Sequence, residues 1–183
     1  EWARQGLDHF LTCRRANGII CQPPQWDGYG QTLWAFGSHW RLTGDNDWAR
    51  RMYPYLADHV RGVFAEVAKD PLGLVPKAPP YDNEAIDGHY TGHSFWLLTG
   101  MRDMIAMAES LGETADAEQF RQWHDAYGER FLTHLGAVTA TTGGYIPPGL
   151  DAEEGCDWDN LISVYPRGGV PARGTLDVTD PMV

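Results

Sequence analysis

The sequence predicts an all-α fold in which helical hairpins lie side by side as a ring or solenoid. Three observations carry this expectation. Segments that are apolar around most of a helix alternate with segments that are apolar along one stripe only. A glycine joins the two members of each pair, at Gly44 and at Gly112. The whole unit then recurs, with Asp27-Gly28 and Asp87-Gly88 opening two copies 60 residues apart. Each copy runs polar-aromatic loop, dense apolar helix, glycine turn, amphipathic helix. A repeat of that kind buries its faces against its neighbours.

Taken in order, Ala3, Leu7, Phe10 and Leu11 recur at helical spacing, and Asn17-Gly18 supplies a stop. A loop over residues 21–28 leads into a helix at about 29–43. Its Leu33, Trp34, Phe36 and Trp40 leave little polar face, so burial on most sides is expected. Gly44 ends that helix, and Asp45 is a suitable N-cap for the next. The next helix carries one stripe of Trp48, Met52, Leu56, His59, Val60, Val63 and Val67. Pro54 is expected to kink it or to mark a ragged first turn. Together these two helices make an antiparallel hairpin at about 28–68.

Residues 69–86 contain Pro71, Pro76, Pro79 and Pro80 and read as a long loop, a feature often tied to function in compact domains. A second dense helix follows at about 88–111, with Phe95, Trp96, Leu97, Leu98, Met101, Met104, Ile105 and Ala108. After Gly112 an amphipathic helix at about 114–135 presents Phe120, His124, Tyr127, Phe131 and Leu135, completing a hairpin at about 88–135. A third loop over 143–155 carries Tyr145, Pro147, Pro148 and Asp151, and a third inner helix is expected to start at about 157. Past Pro166, glycine and proline point to loop. The organisation is a single domain over residues 1–183.

Composition narrows the function. A net charge of −11 argues against binding a phosphate backbone, so no nucleic-acid partner is expected. No apolar run approaches the ~20 residues of a membrane span, and no membrane partner is expected. Cys13, Cys21 and Cys156 form no paired motif and read as buried free thiols. His89 and His93 stand at i and i+4, but Thr91 and Gly92 add no third ligand, so no metal or cofactor is expected.

The loops are richer. Pro80-Tyr81-Asp82-Asn83-Glu84-Ala85-Ile86-Asp87-Gly88-His89-Tyr90 gathers three carboxylates, two tyrosines and a histidine ahead of an apolar helix. Trp26-Asp27 and Asp157-Trp158-Asp159 stand in comparable places. If these helices form the inner layer of a ring, their N-termini collect at one mouth. Aromatic faces would then stack on the apolar side of a sugar, and carboxylates would bind its hydroxyls. A plainer role is also open to each residue: acids cap helices, and tryptophans fill cores.

Gln25-Trp26-Asp27-Gly28-Tyr29-Gly30-Gln31-Thr32-Leu33-Trp34-Ala35-Phe36, followed by Thr43-Gly44-Asp45, resembles the six-hairpin (α/α)6-barrel glycoside hydrolases, nearest the glucoamylase-like group. Asp82-Asn83-Glu84 ahead of Phe95 and Leu111-Gly112 looks like that family's acid-bearing segment. Asn83 stands where glucoamylases have an aromatic residue before the glutamate. The resemblance covers roughly residues 25–165. It implies part of an (α/α)6 toroid and hydrolysis of O-glycosidic bonds, in α-glucosides or related oligosaccharides. The mechanism would be inverting, with a carbohydrate as the substrate partner. It implies Glu84 as general acid, with Asp82 and Asp87 as rivals, and Trp26, Asp27, Tyr81, Asp87, Trp158 and Asp159 as substrate-binding residues. The family's base lies in the later half of the barrel, so the chain is expected to be a piece of one, self-associating and inactive alone.

Two other functions fit the same ring. A sugar epimerase or polysaccharide lyase would use histidine or tyrosine as base, and His39, His89, Tyr90 and His93 are available. A helical-repeat module would hold a carbohydrate or protein without chemistry.

Overall fold

The computed structural model describes residues 1–80 and 86–152. Among them the fold is all-α. Helix α1 spans Trp2–Phe10 and continues into a 3-10 turn at Leu11–Cys13. The others are α2 (Gly28–Thr43), α3 (Asn46–Val67), α4 (Thr91–Leu111) and α5 (Thr114–Thr139).

Two hairpins form as the sequence predicts. Gly44 and Gly112 adopt left-handed φ of 66° and 84°, closing α2 and α4 where a side chain would be strained. Asp45 caps α3 by accepting from the Trp48 N–H at 2.8 Å. The stripe from Trp48 to Val67 is buried throughout, as are Phe120, His124, Tyr127, Phe131 and Leu135 on α5. Helix α3 runs on through Pro54, whose missing donor faces the exposed side of the helix.

Helices α2 and α4 pack closest of all. A Cβ built on Gly30 would lie 2.0 Å from the Trp96 backbone, and one on Gly100 would lie 2.3 Å from the Gly30 carbonyl. The absence of side chains at these two positions lets the backbones touch. At the far end Arg41 of α2 pairs with Asp103 of α4 across the same seam.

Three expectations need correcting. Helix α4 starts at Thr91 rather than near 88, because Gly88 is bridged to Ala78 and Tyr90, in extended conformation, to Gly149. Helix α5 runs on to Thr139. Helix α2 is buried along one side only: Tyr29, Leu33 and Phe36 are covered, while Gln31, Trp34 and Ala35 are partly exposed. That open side, with Leu7, Phe10 and Trp96, lines a cavity of about 480 Å³. The expected third inner helix at about 157 lies outside the described residues.

Candidate functional site: a three-loop junction

The described parts of the three connections, residues 14–27, 68–80 with 86–90, and 140–152, meet at one end of the molecule, where α2 and α4 begin. Each contact that joins them is specific.

The first loop is held from beneath by α3. His59 is fully buried and accepts from the Ile20 N–H at 2.9 Å through Nδ1, while its Nε2 donates to the Tyr29 carbonyl at 2.9 Å. These roles need the neutral ring. Burial accordingly pushes the imidazole down to about 4, although the Tyr29 contact works the other way. Thr32 completes the anchor by donating to the Ile20 carbonyl at 2.9 Å. The chain therefore arrives at α2 with Trp26 and Asp27 fixed.

Trp26 spans the first and second loops. Its indole N–H donates to the Lys77 carbonyl at 3.2 Å, and its ring packs on Tyr29 and on the cluster of Ala78, Ile86 and Tyr90. Asp27 acts as the cap of α2, accepting from the Gly28 N–H and from the Gln31 amide, both at 2.8 Å.

The second and third loops are joined by His89. This imidazole, 4% exposed, sits between two carboxylates, with Nε2 3.0 Å from Asp70 and Nδ1 2.9 Å from Asp151. Both contacts are satisfied when each ring nitrogen carries a proton. Asp151 also accepts from the His89 backbone N–H at 2.8 Å and pairs with the Lys77 ammonium at 2.7 Å. Burial works to raise the Asp151 carboxyl, but the Lys77 and His89 contacts outweigh it and hold the group down at about 2. The Lys77 ammonium is held above its ordinary range, chiefly by Asp151 and in smaller part by the nearby Asp87 and Asp70. A Cβ on Gly88 would stand 2.4 Å from the Asp151 carboxylate, so a glycine there lets the pair close.

The third loop also caps α4. Thr91 donates its N–H to the Pro148 carbonyl at 3.0 Å and its hydroxyl to the Pro147 carbonyl at 2.8 Å. Tyr127 of α5 fixes the second loop from below, bonding Ser94 at 2.7 Å and accepting from the Val75 N–H at 3.3 Å.

Of the residues singled out from the sequence, Trp26 and Asp27 lie at this junction, and Asp87 is exposed beside Lys77. Glu84, Tyr81, Asp82, Trp158 and Asp159 lie outside the described residues, as does Cys156. His89 and His93 do not face a common point: His89 is committed to Asp70 and Asp151, while the His93 ring packs tilted against Tyr90 with centroids 4.9 Å apart. The Tyr90 hydroxyl closes its own turn, accepting from the Ile86 N–H and donating to the Ile86 carbonyl. Sequence reasoning passed over Asp70, Lys77 and the bridging role of His59. Asp70 before Pro71 carried a turn signal, since its side chain accepts from the Leu72 and Leu74 N–H groups. Lys77 carried none.

No protein-family model matches the chain, and no curated protein matches it significantly.

Proposed function

We propose that this chain belongs to a glycoside hydrolase with (α/α)6-toroid architecture, acting on α-glucosides or related oligosaccharides with inversion. The observation that carries the reading is the convergence of three sequence-distant loops at the start of the two most apolar helices. That is the arrangement an inner layer of hairpins requires of its substrate mouth, and Trp26 and Asp87 lie there among the described residues.

In this reading Glu84 protonates the leaving-group oxygen, and a second carboxylate, in the later half of the barrel, activates water on the opposite face of the sugar. A general acid must hold its proton near the working pH. Asp82 and Asp87 are like charges close in sequence, and they favour that state. The opposing pull of a helix N-terminus fades within one turn, and α4 begins seven residues beyond Glu84. Trp26 supplies an aromatic rim. The network of Asp70, Lys77, His89 and Asp151 positions the loops. Asp151 is ionised and already bonded by both Lys77 and His89, so it suits neither acid nor base.

The epimerase or lyase alternative loses support from the same geometry. His89 has both nitrogens committed and the Tyr90 hydroxyl closes a turn. His39 lies near the far end of α2, its ring against Trp48. The test is calorimetric titration of the chain with malto-oligosaccharides. Binding that weakens at least tenfold in Trp26→Ala and survives in Glu84→Gln supports the reading. Absence of binding by the unsubstituted chain overturns it.

A further inference from the structure

We propose that Cys13 and Cys21 are a redox pair that closes into an intramolecular disulfide, tying the end of the first helical segment to the loop that enters α2. The pairing follows from register. Arg14 bridges Ile20 in antiparallel fashion, and the Arg15 N–H donates to the Ile19 carbonyl at 2.8 Å. Cys13, which ends the 3-10 turn, directly precedes that bridge, and Cys21 directly follows it on the opposing segment. The bridge brings together the two segments that carry the cysteines on its same side, and a disulfide spans Cα separations of about 4.4–6.8 Å. Both cysteines line one small cavity of about 140 Å³. Both are free thiols here.

Their environments assign the order of events. Cys13 is partly exposed, whereas burial pushes the Cys21 thiol up to about 12. The Cys13 thiolate therefore attacks first, on a low-molecular-weight disulfide such as oxidised glutathione. The bond within that reagent breaks, one reduced thiol leaves, and a mixed disulfide remains on Cys13. Cys21 then gives up its proton and attacks the Cys13 sulfur, expelling the second reduced thiol. Two protein thiols have been oxidised and one external disulfide reduced. The second step is the slow one, because little Cys21 is ionised near neutral pH. Cys21 abuts Gly28, where an added Cβ would lie 2.7 Å from its own. Closure therefore braces the start of α2, next to Trp26 and Asp27.

The test uses the 183-residue chain carrying Cys156→Ser, equilibrated natively with oxidised glutathione, alkylated and digested with trypsin without reduction. Trypsin cuts after Arg14 and Arg15, between the two cysteines. The expected result is peptides 5–14 and 16–41 recovered joined, preceded in time by glutathione on Cys13 alone. An upward shift in Tm should accompany closure and be absent in Cys13→Ser. The proposal is overturned if both thiols are alkylated after oxidation or if Cys13 stays arrested as the mixed disulfide. It is equally overturned if the joined peptides form only in urea.

Discussion

Replacing His59 with phenylalanine should destabilise the protein at neutral pH and leave it almost unaffected near pH 4. The imidazole is buried in the neutral form and serves the Ile20 N–H and the Tyr29 carbonyl. Phenylalanine fills comparable space but strands the Ile20 N–H, at a cost of about 1–3 kcal/mol, and removes one bond from Tyr29, which keeps its intrahelical partner. The summed loss at neutral pH is about 2–4 kcal/mol. For a chain of this length that lowers Tm by roughly 5–15 °C. The pH dependence runs against the wild type. Its folded-state value near 4 lies below the ordinary 6.5, so between these the unfolded chain binds a proton that the native chain refuses. The stability from His59 is fully present above pH 6.5 and drains away as the pH falls toward 4. That drain amounts to roughly 3 kcal/mol. Phenylalanine has nothing to titrate, so the gap between the two proteins should close over that interval. Urea unfolding followed by tryptophan fluorescence, at several pH values, reads this directly. A gap that stays constant from neutral pH down to 4 would falsify the neutral, bridging role of His59.

Gly30→Ala should destabilise by about 2–3 kcal/mol, because the new Cβ meets the Trp96 backbone at 2.0 Å and the two helices must part. Gly136→Ala is the matched control: nothing lies within 4 Å of its Cβ, and replacing an exposed helical glycine should stabilise by roughly 0.5–1 kcal/mol. Thermal melts of the two variants moving in the same direction would refute the close-packed seam. Asp151→Asn should loosen the junction without melting the hairpins, at a cost of about 1–3 kcal/mol. Hydrogen exchange should speed up at the His89 and Leu150 amides, both held in this junction, and stay slow along α3. The same carboxylate sets an acid limit, because its contribution is present above its ordinary 3.8 and lost as the pH falls toward 2.

The helices were legible because their signals are local. The stripe from Trp48 to Val67 and the series Phe120, His124, Tyr127, Phe131 and Leu135 repeat at helical spacing, and Gly44, Asp45 and Gly112 punctuate them as their chemistry requires. The start of α4 was misread for the opposite reason. Thr91 is capped by the carbonyls of Pro147 and Pro148, 56 residues and more away, and no local pattern announces such a partner. Asp87-Gly88 imitated a cap, yet Gly88 is small because Asp151 presses against it. His59 was correctly placed on an inward stripe, but its two bonds join elements that only tertiary packing brings together. The side of α2 bearing Trp34 looked like core because composition cannot say how many neighbours a helix will find.

The central claim is that the loop ahead of α4 carries a general acid. It is tested most directly by hydrolysis of an α-linked gluco-oligosaccharide by the protein containing this chain, with the anomer of the released sugar read by proton NMR. The account predicts a first product of inverted, β configuration. It also predicts that Glu84→Gln lowers kcat about 10²–10⁴-fold, the usual worth of a general acid, while oligosaccharide affinity stays within a few-fold of wild type. A first product that retains the α configuration, or a Glu84→Gln protein that turns over at the wild-type rate, would contradict it.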